Sequence, residues 1–404
     1  DDTDSREGGC TTYICALLVE KLSEFHVQIP KLVRLNPNIP YKTRGNGAVS
    51  FFVDADKDDV KEEVIKTVEK HSMIKDKNTN PVVAFSEKKE IFERLYYKAL
   101  HEIVPAEKAL KIAKRGGAEL FIFKKERGAV GALSAIGAKF RIRTYELIAY
   151  RKKENIGKKR RVDENSVIEM ERRLKNVFNS YDYAEKKILI TPNSKCPVLY
   201  GIRAIDMESL HLAKHIVKVH ESVERYQIFE TNQATDAHLE KKRISEIAPM
   251  NSVIIDGTVT KSPSTIKGGH VIFEIGDETG KINCAAYEPT KGFRDIVRRL
   301  MKGDHIRVYG AVGKRKDTVN VEKIEVKNLL KEIYENPRCK VCGRKMKSAG
   351  RGRGFRCKRC GTFREGREKV ELKRELKEGF YEVTLSAMRH LTMPIKVMSM
   401  LQIE

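Results

Sequence analysis

The stretch HVIFEIGDETGKINCAAY, residues 270–287, reads as two β-strands around a turn at Asp277-Glu278-Thr279-Gly280. Similar strand signals occur at residues 253–260, 305–310 and 319–326, and residues 293–301 are helical in pattern. Five strands with a helix between the third and fourth is the order of an OB-fold, a small barrel that binds single-stranded nucleic acid. Other five-stranded barrels share the strand count and stay open as an alternative. The OB-fold is expected over residues 250–330.

Upstream the pattern changes to α/β. Residues 1–120 predict a helix over 11–25, a strand over 48–53, a helix carrying Val60, Val64, Thr67 and Val68, a strand over 81–85 and two further helices. Residues 121–240 predict a small-residue helix or its entry at 128–137, strands over 145–150, 187–191 and 226–231, and a helix over 209–217. A two-helix, mixed-sheet sandwich of ferredoxin-like type fits that order. Residues 337–404 begin with a cysteine cluster and end, from Gly379, in a tail of little periodicity.

The chain has 404 residues, enough for two to four domains at roughly 100–200 residues each. Lys and Arg total 79 against 56 Asp and Glu, a net charge of +23, which argues for a polyanionic partner. No apolar run approaches the ~18 residues of a membrane span. The first residue is Asp rather than Met, so a few residues are expected upstream. Four of the eight cysteines fall within 22 residues and four are scattered, which fits a reduced, intracellular, cytoplasmic protein with one metal site.

Cys339-x-x-Cys342 and Cys357-x-x-Cys360 have zinc-ribbon spacing. Four thiolates complete a tetrahedron and leave no open position, so the Zn²⁺ is structural. Residues 338–364 hold eleven basic side chains and no acidic one, more than a thiolate-rich site needs for charge compensation. The glycine-rich loop there presents Arg351, Arg353, Phe355 and Arg356, a set suited to following phosphates and stacking a base. The run 151–161, with seven basic residues and one acidic, reads equally as a solvated loop or an RNA contact.

No Gly-x-x-x-x-Gly-Lys-Ser/Thr loop occurs. Instead Asp1, Asp2 and Asp4 crowd one turn, where their repulsion calls for a divalent cation such as Mg²⁺ with nucleotide phosphates or for a protein cation, unless the turn is merely solvated. Gly8 and Gly9 then lead to Thr11 and Thr12 at a helix start, whose free N–H groups suit an anion. Tyr41-Lys42-Thr43-Arg44-Gly45-Asn46-Gly47 places two cations and two glycines before a strand, a composition for a triphosphate or for an exposed turn. Polar clusters at residues 196–203, ending at Arg203, and 232–238, with Asn232, Thr235 and Asp236, are loops that either line a site or serve only as connections.

Taken together, these segments resemble the archaeal tRNA(Ile) 2-agmatinylcytidine synthetases. The resemblance runs through Asp1-Asp2-Thr3-Asp4-Ser5, Cys10-Thr11-Thr12-Tyr13, Arg34-Leu35-Asn36-Pro37, the segment 39–47, Cys196-Pro197-Val198-Leu199-Tyr200-Gly201-Ile202-Arg203, Thr231-Asn232, Ala234-Thr235-Asp236, Glu288-Pro289-Thr290-Lys291 and Ser348-Ala349-Gly350-Arg351-Gly352. It implies a kinase-like α/β catalytic domain, a ferredoxin-like domain, an OB-fold barrel and a zinc ribbon. It also implies ATP-driven attachment of agmatine to C2 of the wobble cytidine of a CAU-anticodon isoleucine tRNA, with ATP ending as AMP and phosphates. On this resemblance Asp1, Asp2 and Asp4 hold Mg²⁺, Thr11 is phosphorylated by the enzyme itself, and Lys42, Arg44, Gly45, Asn46 and Gly47 contact ATP. Arg203, Asn232, Thr235 and Asp236 are expected at the agmatine side, with Asp236 facing a guanidinium. Family members carry a short strand just before the aspartates that is not in this sequence. A non-catalytic single-strand-binding protein is the rival reading. A ligase-type nucleotidyl transferase is disfavoured, because no Lys-x-Asp-Gly motif occurs.

Overall fold

The computed structural model describes every residue except 44, 316 and 404. Its centre is a six-stranded sheet in the order Gly47–Ser50, Lys31–Arg34, Val223–Thr231, Thr144–Arg151, Val198–Ala204, Val177–Phe178. The last four strands, with helices Glu164–Arg173 and Met207–Ile216, form the expected ferredoxin-like βαββαβ unit, its strands ordered fourth, first, third, second. Strand periodicity sorts its faces. Leu147 and Ala149 pack under the two helices, while Ile148 and Tyr150 face Cys15 and Ala16 of helix Thr11–Lys21 on the other side.

The expected boundary near residue 120 is not a physical break. Strand Lys31–Arg34 of the N-terminal part pairs in parallel with Val223–Thr231, so both parts share one sheet. Helix Gly128–Ile136 contributes Leu133 and Ala135 to a core with Phe92, Leu95 and Tyr96 of the N-terminal part. The pairing of Lys31 with Glu230 is long-range information, which local periodicity does not carry.

The barrel has the expected five strands, Ser252–Thr265, Val271–Asp277, Gly280–Ala286, His305–Val312 and Thr318–Asn328, with helix Phe293–Arg298 between the third and fourth. It closes through antiparallel pairing of the first strand with the fourth and parallel pairing of the third with the fifth. The ribbon carries a three-stranded sheet, Lys347–Ser348, Phe355–Arg356 and Phe363–Arg364, on a two-stranded stalk, Glu332–Glu335 with Glu368–Glu371.

The C-terminal stretch is not a loose tail. Gly379–Glu382 adds a strand to the barrel, and Met393, Val397 and Met398 pack against Phe178 and Ala234 of the ferredoxin-like unit. The backbone N–H groups of Ala234, Thr235 and Asp236 donate to the carbonyls of His390 and Leu391. No helix among the described residues is long and apolar enough to cross a membrane.

Candidate active site

Asp1, Asp2, Asp4, Thr11, Lys42, Gly45, Asn46 and Gly47 line one cavity of about 210 Å³, together with Arg127 and Gly131. These distant sequence positions are brought together because the acidic turn is tied to the strand Val82–Phe85. Asp1 and Val82 exchange backbone hydrogen bonds of 3.0 and 3.2 Å. Thr79 Oγ1 donates to the Asp4 carbonyl at 2.7 Å. Arg44 lies outside the described residues.

The three carboxylates are not equivalent. Asp2 Oδ2 accepts from Arg127 Nε at 3.0 Å and Nη2 at 2.8 Å, and that guanidinium lies 5.6 Å from the Tyr41 ring centroid. Asp1 packs against helix Gly128–Ile136, where a Cβ at Gly131 would stand 2.1 Å from Asp1 Oδ2, so a side chain there would displace the Asp1 carboxylate. Among the described residues the carboxylates do not converge on a point. Among the described residues, the one set of three or more such ligand atoms within 4.8 Å of one another is the sulfurs of Cys339, Cys342, Cys357 and Cys360. Four such sulfurs, beside a core of Met346 and Phe355, match a tetrahedral zinc site.

Thr11 opens helix Thr11–Lys21, and its hydroxyl accepts from Thr3 Oγ1 at 2.9 Å. Lys42 and Asn46 shape the loop that carries them. The Lys42 ammonium donates to the Pro37 carbonyl, and Asn46 Nδ2 donates to the Asn36 carbonyl at 3.0 Å. Burial, then Arg389, lowers the Lys42 pKa.

The side chains expected at agmatine are placed differently. Asn232 is buried, accepting from the Arg34 N–H at 2.8 Å and donating to the Arg34 carbonyl and Tyr96 hydroxyl. Thr235 Oγ1 donates to the Asn232 carbonyl at 2.6 Å. Asp236 accepts from the buried Lys323 ammonium at 2.6 Å and from the Met393 N–H at 2.7 Å. Burial pushes the Asp236 carboxyl up, and Lys323 opposes that shift. Asn232 and Thr235 are engaged beside the sheet, and Asp236 in the joint between sheet, barrel and C-terminal segment. Arg203 differs: its Nε lies 3.4 Å from Glu146 Oε1 and its Nη2 3.4 Å from His390 Nδ1.

On the ribbon, Arg351, Arg353 and Arg356 are exposed, whereas Phe355 is buried beneath the cysteines and has no face for a base. The exposed aromatic is Phe363, 54% accessible, on the adjoining strand beside Gly354. In the run 151–161, Arg151 is buried in a two-bonded ion pair with Glu221, and Arg160 donates to the carbonyls of Val198, Ser194 and Cys196. Arg127, Gly131 and Phe363 carry no motif that singles them out in sequence.

Family models match four parts of the chain: the TiaS TCKD domain at residues 1–55, the TiaS FLD domain at 126–238, an OB-fold nucleic acid binding domain at 253–327 and the TiaS C-terminal zinc ribbon domain at 336–376. The isoleucine-tRNA 2-agmatinylcytidine synthetase TiaS of Methanocaldococcus jannaschii is 46% identical, covering 99% of this chain and 98% of its own. The crystal structure of a TiaS complex with its isoleucine tRNA and ATP superposes with TM-score 0.87 at 43% identity, over 98% of this chain and 95% of that one. That of a TiaS complex with the same tRNA, AMPCPP and agmatine superposes with TM-score 0.85 at 39% identity, with the same coverage.

Proposed function

The chain belongs to the tRNA(Ile) 2-agmatinylcytidine synthetase family, and we propose that it uses ATP to attach agmatine to C2 of the wobble cytidine of a CAU-anticodon isoleucine tRNA. The observation that carries this reading is the single cavity in which Asp1, Asp2, Asp4, Thr11 and the 41–47 loop meet. A protein that only binds single strands has no use for it. A cytoplasmic site of action follows from the tRNA substrate.

Cytosine O2 is a poor leaving group. It attacks the terminal phosphorus of ATP, forming a P–O bond as the phosphoanhydride bond breaks and ADP leaves, and the agmatine amine then attacks C2 and displaces phosphate. Hydrolysis of the remaining anhydride by water, which takes the nucleotide to AMP and phosphate, drives the sequence. Asp1, Asp2 and Asp4 line the cavity and are the carboxylates that would hold Mg²⁺, which would supply positive charge to phosphate oxygens, with Asp2 also held by Arg127. Gly131 keeps Asp1 close to the helix that backs the cavity. Thr11, at a helix N-terminus, offers its hydroxyl where backbone N–H groups stabilise a phosphate, which suits it as the self-phosphorylated residue. The +23 charge and the exposed ribbon arginines supply a surface for the tRNA backbone.

The test is ATP consumption by the zinc-loaded full-length chain with and without the CAU tRNA. The reading predicts tRNA-dependent turnover that Asp4→Asn abolishes while tRNA affinity is kept. Turnover unchanged by Asp4→Asn would remove the cavity from the reaction.

A further inference from the structure

Arg34, Arg203 and His390 come from three distant parts of the chain. Arg34 ends the strand Lys31–Arg34, Arg203 lies in Val198–Ala204, and His390 is in the C-terminal segment that returns to the sheet. They meet behind Gly45, which lines the nucleotide cavity. A Cβ there would stand 3.0 Å from Arg34 Nη1 and 2.8 Å from His390 Cδ2, so the absence of a side chain lets both groups approach the cavity-lining loop this closely. Arg203 Nη2 is 3.4 Å from His390 Nδ1.

Two guanidiniums crowded around one imidazole are unfavourable without negative charge beside them. Arg34 first, then burial, Arg203 and Lys42, hold the His390 pKa well below its usual value, and burial lowers that of Arg34. Carboxylates answer them only in part: Glu146 and Asp4 act on Arg34 through their charge, Glu146 Oε1 lies 3.4 Å from Arg203 Nε, and Glu146 Oε2 accepts from Gln233 Nε2 at 2.5 Å. The Nε atoms of both Arg34 and Arg203 are buried without a hydrogen-bond partner among the described residues. With Arg34 Nε unbonded and Arg203 Nε held to Glu146 by a 3.4 Å ion pair rather than a hydrogen bond, the two guanidiniums suit a tetrahedral oxyanion. They do not suit agmatine, both ends of which are cations.

We propose that Arg34, Arg203 and His390 form a phosphate site that holds the phosphoryl group on the activated base oxygen and stabilises it as it departs. The proposal rests on the reaction assigned above. In that step the agmatine nitrogen forms the C2–N bond with its lone pair. The C2–O bond breaks, both electrons go to the phosphate oxygen, and the proton lost by the amine leaves on hydrogen phosphate. Charge grows on the leaving group, so preorganised guanidiniums act most strongly at that moment. Glu146 is a positioning residue that aims Arg203.

The test is ³¹P NMR of inorganic phosphate titrated with zinc-loaded full-length protein, without ATP or tRNA. Wild type, Arg203→Gln, Arg34→Gln and Arg203→Lys are compared, with tRNA affinity reporting an intact fold. The expected result is line broadening by the wild type. Each Gln variant should bind phosphate on the order of tenfold to hundredfold more weakly, with partial rescue in Arg203→Lys and unchanged affinity for a non-hydrolysable ATP analogue. A phosphate line unaffected by wild type, or affected equally by all variants, overturns the proposal. An equal loss of ATP-analogue affinity also overturns it, because the cluster would then serve the nucleotide tail. The readout needs no turnover, so its failure is distinguishable from failure of agmatine attachment.

Discussion

Replacing Asp236 by Ala should loosen the joint between barrel and sheet and leave agmatine recognition little changed. The Lys323 side chain is 0% exposed, and its ammonium has Asp236 Oδ2 at 2.6 Å, the Met393 carbonyl at 3.0 Å and the Tyr309 ring centroid at 4.7 Å. Removing the carboxylate strands a buried cation, which costs about 3–5 kcal/mol. At roughly 1.4 kcal/mol per tenfold, local opening becomes on the order of a hundredfold to several thousandfold more frequent. The assay is native-state hydrogen exchange at the amides of Thr235 and Asp236, which donate to the Leu391 carbonyl at 3.2 and 2.9 Å. Asp236→Asn with Lys323→Met should recover much of the protection, since an apolar pair of similar volume needs no counter-charge. Exchange in Asp236→Ala equal to wild type, together with a raised agmatine KM, would refute this and return Asp236 to the agmatine site.

Gly131→Ala should cut agmatine incorporation about a hundredfold or more in a folded, tRNA-binding protein, because displacing Asp1 by an ångström misaligns the reacting groups; single-turnover rates check this. Burial raises the pKa of Glu382, whose carboxylate accepts from the Ile395 N–H, to about 7. Between the ordinary value near 4.5 and about 7 the folded state holds the extra proton, so anchorage of the short C-terminal helix Ile395–Met400 should weaken as pH rises through that window. Exchange at residue 395 measured from pH 5 to 8 should show that slope, and Glu382→Gln should flatten it. Replacing Arg351 and Arg353 together by Ala should reduce the slope of log tRNA affinity against log salt by about 1.4, from ~0.7 per phosphate contact. Phe363→Ala should weaken tRNA by about 1–3 kcal/mol, with Phe355→Ala instead releasing zinc.

The barrel and the ferredoxin-like unit were legible because their order is local: strand and helix periods succeed one another along the chain as they do in space. The zinc site was legible for the same reason, since each Cys-x-x-Cys pair is a single turn. The shared sheet was not, because the pairing of Leu32 with Thr231 is set by burial of both faces of a common sheet. Composition pointed to residues that the fold gathers into one cavity, yet it could not tell which cations were spent. Lys42 and Arg151 look alike in sequence to Arg34 and Arg203, but a carbonyl and Glu221 hydrogen-bond the first two, whereas Arg203 is held by a 3.4 Å ion pair with Glu146. Polar residues at 232–236 suggested a ligand, while Asn232, Thr235 and Asp236 bond to partners inside the fold. Phe355 and Phe363 illustrate strand alternation: one faces the metal and the other faces solvent, and register alone separates them.

The most direct test incubates the chain with ATP, Mg²⁺, radiolabelled agmatine and the CAU isoleucine tRNA, beside a transcript whose wobble cytidine is changed. The account predicts stable label on the unchanged tRNA alone, dependent on ATP. No label despite tight tRNA binding, or equal label on both transcripts, would contradict it.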